Sequence, residues 1–137
     1  MATLLRPPGV ALVFACLWSL PGLGQAVAPM PPDVTAFSVV CGCDTTPRQL
    51  LLPQGYVSTK PEWYGEGSVQ AFRYADRSVI TLLCGSNAQL SLPKRQKKGC
   101  YSRKEVLPGG CAQLMYSNVP AARVALFNHM LDAARTR

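Results

Sequence analysis

Six cysteines and a single histidine are the side chains of this sequence best equipped for chemistry. Cys16, Cys41, Cys43, Cys84, Cys100 and Cys111 are spaced for cross-linking, not for metal or redox work. Cys41-Gly42-Cys43 leaves one residue between its sulfurs, no His-X3–5-His follows, and a dithiol redox site usually carries two intervening residues. His129 falls on the polar side of the one clear helix, where solvent is its expected neighbour. Seven scattered Asp and Glu residues form no acid–base pair. Neither a phosphate-cradling glycine loop nor a Gly-X-Ser-X-Gly elbow occurs. The expectation is a binding protein, not an enzyme, with no catalytic residue, no metal and no cofactor.

What the thiols do depends on where the chain travels. Arg6 precedes an apolar run of eleven residues, 10–20, and residues 21–26 end with small side chains at Gly24 and Ala26. That is the pattern of a signal peptide cleaved after Ala26. A bilayer core of about 30 Å takes roughly twenty apolar residues, so this run is too short to span it. No other stretch is long and apolar enough, so no membrane span of its own is expected. The mature chain of 111 residues enters the secretory pathway. It is then expected to be either soluble or held by a partner. Its five remaining cysteines are expected to oxidise there. An odd number allows two internal bridges and leaves one thiol, either buried and unpaired or used to link another chain. Two such bridges contribute roughly 2–4 kcal/mol each against a typical stability of about 5–15 kcal/mol, so a core this small depends on them.

Charge is the second signal. Thirteen basic and seven acidic groups follow the leader, a net charge of about +6. Lys94, Arg95, Lys97, Lys98, Arg103 and Lys104 concentrate six of the bases within eleven residues. They are either a solvated hairpin or a site for polyanions such as heparan-type glycosaminoglycans, acidic cell surfaces or an acidic receptor segment. The secretory signal argues against nucleic acid.

The elements that must position these groups are short. Residues 27–32 form a proline-broken arm. Residues 33–40, with Phe37, Val39 and Val40, read as a short strand or an extended docking segment leading into Cys41. The Leu50-Leu51-Leu52 run, cut by Pro53, is too short to assign. Residues 54–67 read as loop around a short strand at 56–59. Within it Trp63 and Tyr64 either cap the core or anchor a partner, the two being common hot-spot residues. Strands are expected at 68–74, 79–83, 89–92 and 112–116, with turns at 75–78 and 107–110. Asn87 falls in a further turn, and no Asn-X-Ser/Thr site occurs. Asn118 reads as the N-cap and Pro120 as a first-turn residue of a helix. Leu126, Phe127, Met130, Leu131 and Ala134 form its apolar side with Val124 at the edge, opposite Asn128, His129, Asp132 and Arg135. Arg123 interrupts that pattern and is expected to reach solvent. The fold class is therefore α+β: a small disulfide-stabilised domain, residues 41–137 behind an extended arm at 27–40, with a short antiparallel sheet and one C-terminal helix.

A Cys-X-Cys pair behind a short arm, strands with further cysteines, and a closing amphipathic helix resemble the chemokine-type fold. By that resemblance Cys41 pairs with Cys84, and Cys43 with Cys100 or Cys111. The interval from Cys84 favours Cys100, whereas a place just ahead of the helix favours Cys111. Forty residues separate Cys43 from Cys84, more than a chemokine normally allows, and no Glu-Leu-Arg precedes Cys41. Herpesvirus glycoprotein L shares a chemokine-like core. Its pattern of cysteine, apolar segment with Tyr, Asn near Pro and apolar helix is similar to Cys111, Tyr116, Asn118, Pro120 and residues 121–131. Cys41 and Cys43 stand where some members carry a near-N-terminal pair. This resemblance implies a secreted subunit, or one held at a virion envelope or host cell surface through its partner, that acts as the folding and entry/fusion partner of glycoprotein H. Its arm and its Cys41/Cys43 segment would dock by strand addition, with Phe37, Val39, Val40, Trp63 and Tyr64 as candidate contacts. Cys100, inside the basic hairpin, is the candidate for the odd cysteine, unpaired or intermolecular, with Cys41, Cys43, Cys84 and Cys111 expected to be bridged. The alternatives are a chemokine-like ligand of a G-protein-coupled receptor that holds glycosaminoglycans at residues 94–104, and an extracellular glycan-binding module with Trp63 and Tyr64 stacking on sugars.

Overall fold

The computed structural model describes residues 33–43, 45–85 and 89–136. The leader, the proline arm and the turn at Asn87 lie outside them. Among the described residues two antiparallel sheets and one α-helix enclose the core. Strands β1 (Val34–Val39) and β2 (Arg48–Pro53) form a hairpin that stands as its own two-stranded sheet, in register from Val34 opposite Pro53 to Val39 opposite Arg48. The unassigned leucine run is thus the centre of β2. Leu50 and Leu52 point into the core and Leu51 lies between them, the two-residue period of a strand.

The second sheet holds β3 (Val57–Ser58), β4 (Glu62–Tyr64), β5 (Gly67–Arg73), β6 (Val79–Cys84), β7 (Cys100–Val106) and β8 (Ala112–Pro120). Its order is β3-β5-β6-β8-β7, with β4 on the same flank of β5 as β3, and every pairing is antiparallel. The α+β architecture with one C-terminal helix and two disulfides is therefore present, with more strands than the sequence suggested.

Register sorts side chains by face. Phe72, Ile80, Leu82, Leu114 and Tyr116 share the inner face and are nearly or fully buried. A single turn of 3-10 helix (Ala121–Arg123) leads into α1 (Val124–Thr136), whose Phe127, Met130, Leu131 and Ala134 close over that face. Edge-to-face rings run through the core from hairpin to sheet to helix. Phe37 meets Phe72 at 4.9 Å, Tyr74 meets Phe127 at 5.5 Å and Tyr116 meets Phe127 at 5.6 Å. Such pairs add about 0.5–1.5 kcal/mol each beyond their buried area.

Three sequence expectations are corrected. Asn118 is not a helix cap: it lies within β8 at φ 56°, and Pro120 occupies the cap with no side-chain hydrogen bond. Burial of Val119 and its pairing opposite Tyr101 extend the strand past the point where capping chemistry would stop it. Trp63 and Tyr64 belong to strand β4, not to a loop, and cover no core: they are 71% and 62% exposed. Residues 89–92 form no strand. Leu90 is instead fastened through its main chain to two side chains, its N–H donating to Gln113 Oε1 at 3.0 Å and its carbonyl accepting from Lys104 Nζ at 2.8 Å.

Candidate partner-binding surface

Both disulfides converge on one end of the molecule. Cys41, at the end of the strand β1 approach, joins Cys84 at the end of β6, with Cα atoms 5.1 Å apart. Cys43 joins Cys111, just before β8, at 5.9 Å. The carbonyl of Cys111 accepts from Gly85 N–H at 2.8 Å, so the chain positions that receive the two bridges are neighbours. The connection between β1 and β2 is thereby fixed to the sheet at two points. Among the described residues Cys100 has no disulfide partner, and it is half-buried at the start of β7.

β2 faces α1, and an open cleft of about 580 Å³ lies at their end. Leu50, Leu107 and Ala134 form its buried floor, while Pro47 and Pro108 stand at its exposed rim. The Arg48 guanidinium spans the cleft and donates to the Pro108 carbonyl. β1 is the outer strand of the hairpin, and Thr35, Ala36 and Ser38 are exposed along it. Among the described residues its outer main-chain groups receive no backbone hydrogen bond.

The proposed contact residues divide. Phe37 and Val39 turn inward and pack on the core, Phe37 against Phe72. Val40 is 57% exposed beside Cys41. Trp63 and Tyr64 are exposed on the far flank of β5, on opposite faces of the sheet because successive strand residues alternate. The basic residues divide as well. Lys94, Arg95, Lys97 and Lys98 are exposed together in the turn before β7. Arg103 is not part of that group: its Nη2 lies 2.7 Å from both Glu105 Oε1 and Asp132 Oδ1, and its Nη1 donates to Asn128 Oδ1 at 3.2 Å. The hydrogen bond from Arg103 holds the Asp132 carboxyl below the usual carboxylate range, and the pair fastens α1 to β7. The charge spacing in the sequence cannot reveal this clamp, since Asp132 is distant in the chain and its pattern marks only the polar side of the helix. No helix of the described residues is long and apolar enough to cross a membrane.

No family model, curated protein or solved structure matches this chain.

Proposed function

We propose that this chain is a secreted, non-enzymatic binding subunit resembling herpesvirus glycoprotein L, the folding and fusion partner of a larger, glycoprotein H-like membrane protein. The observation that carries the reading is the N-terminal hairpin. Its outer strand β1 presents unpaired main-chain groups, while both disulfides immobilise the segment that follows it. A pre-ordered open edge is suited to receiving a partner strand, because main-chain hydrogen bonds form without first ordering the receiver. Val40 lies beside the edge as an exposed apolar contact.

Co-expression tests this. With a glycoprotein H-like partner, the chain should co-purify and raise the partner's delivery to the cell surface. Ala36→Pro, which removes an N–H directed away from β2, should weaken that capture while both disulfides still form. Secretion of the chain alone, with no large membrane glycoprotein captured from the native source, would sink the reading.

A second reading is a chemokine-like ligand of a G-protein-coupled receptor. It is favoured by the Cys-X-Cys pair bridged to a strand end and to the turn before β8, with a helix laid over the sheet. A receptor-dependent response of cells to the purified chain alone would select it.

A further inference from the structure

β7 is the outermost strand on the β8 side of the large sheet. Among the described residues no backbone hydrogen bond reaches the outer flank of its residues 103–106. An edge strand points half of its main-chain groups away from its only neighbour, which makes it a template for a further strand. Just before it the chain doubles back: Cys100 N–H donates to the Lys97 carbonyl at 3.0 Å and Gly99 takes φ 78°. Lys94, Arg95, Lys97 and Lys98 are exposed on this turn, and among the described residues no carboxylate pairs with them. The carboxylates of β7 and α1 are already engaged by Arg103. Four uncompensated cations therefore stand at one end of a strand whose outer hydrogen-bonding groups are unmet.

We propose that this edge binds an extended acidic segment of another protein, which adds as a strand beside residues 103–106 and lays its carboxylates on the turn at residues 94–98. A sulfated glycan wants a continuous cationic track, and the track stops at Gly99. Beyond it Arg103 is turned to Glu105 and Asp132, and Lys104 to the Leu90 carbonyl. A second copy of the chain offers no acidic run, because its acids are scattered. The register shift between Tyr101 and Arg103 confines regular pairing to the last part of β7. Every neighbour in this sheet is antiparallel, so the ligand's acidic residues follow its strand-forming residues toward its C-terminus. Tyr101 and Val106, 48% and 55% exposed, supply apolar contacts at the two ends. The surface is separate from β1 and does not depend on the partner proposed for it.

The test uses the full secreted chain and labelled synthetic peptides at low salt. One peptide has alternating Val and Thr, a Gly-Gly spacer and a run of Glu; a second has the same residues in reverse order; a heparin fragment is the third probe. The first peptide should bind more tightly than the second and slow amide hydrogen exchange within β7. Replacing Lys94, Arg95, Lys97 and Lys98 by Gln, all on an exposed turn, should lower its affinity by at least about tenfold, as expected for four screened ion pairs acting together. Equal binding of both peptides, binding with unchanged exchange in β7, an unaffected quadruple variant, or binding of heparin alone would each overturn the proposal.

Discussion

Arg123 looks misplaced in the sequence, a cation at the start of an apolar helical face. In the fold it is a junction. Its Nη1 lies 2.6 Å from Asp76 Oδ2 and 3.3 Å from Ser78 Oγ, and its guanidinium carbon is 4.9 Å from the ring centroids of both Tyr74 and Phe127. The turn between β5 and β6 is thus held to the start of α1. Burial opposes ionisation of Asp76, but hydrogen bonds from Ser78 and Arg123 outweigh it and hold the carboxyl below its usual 3.8. A depressed carboxyl stabilises the fold above its unfolded value and loses that contribution as pH falls through the folded value. Asp76→Asn should therefore lower the melting temperature at pH 7, and the gap to the parent should narrow steadily below about pH 4. Thermal melts across that range check it; a gap independent of pH would mean the carboxylate's charge is immaterial. Arg123→Ala, which also strips the two rings of their cation, should cost about 1–2 kcal/mol.

At the scale of elements, the legible parts were those where one local signal agreed with the tertiary demand. Val79 to Leu83 is β-branched and apolar and becomes β6; the apolar spacing of Phe127, Met130 and Leu131 becomes the buried side of α1. The boundary at Asn118 misled because capping chemistry is local, whereas the burial of Val119 and its pairing with β7 are not. β4 escaped notice because it is three residues long and fully exposed, leaving no alternation to detect. Of the candidate surface, the basic turn was legible as a charge run. The inward turn of Phe37 and Val39 and the diversion of Arg103 depend on contacts with Phe72 and Asp132, distant in sequence. Element packing also makes one glycine indispensable. A Cβ on Gly67 would stand 2.7 Å from the Cys84 carbonyl oxygen, a main-chain atom beside a bridge, whereas one on Gly42 would meet nothing within 4 Å. Gly67→Ala should cost about 1–3 kcal/mol by forcing β5 from β6, and Gly42→Ala should be close to neutral. Urea unfolding midpoints of the two variants compare them directly; equal midpoints would mean that β5 and β6 separate without strain.

For the molecule as a whole, the question is what holds the hairpin of β1 and β2 to the rest. Among the described strands it shares no ladder with the large sheet. Its attachments are the two bridges, the buried Leu50 and Leu52, the Phe37–Phe72 contact, and the Tyr74 hydroxyl, which donates to the Pro53 carbonyl at 2.6 Å. The bridges span 43 and 68 residues, so each restricts the unfolded chain by about 4 kcal/mol on loop-closure grounds. The packing contacts act on the folded state, and these two kinds of restraint separate experimentally. Replacing Cys43 and Cys111 together by Ser should lower global stability by about 2–5 kcal/mol. It should nevertheless leave the hairpin docked in the fraction that folds, because Leu50, Leu52 and Phe37 remain. Replacing Leu50 by Ala should cost a comparable 2–5 kcal/mol with both bridges intact, and it should also release β1 and β2 to faster amide exchange than β6 and β8. Cys100→Ser, which removes no bridge, serves as the control and should change stability little. If the double serine variant instead exposes β1 and β2 selectively, the bridges and not the packing hold the hairpin. The edge offered to a partner would then be ordered only under oxidising conditions.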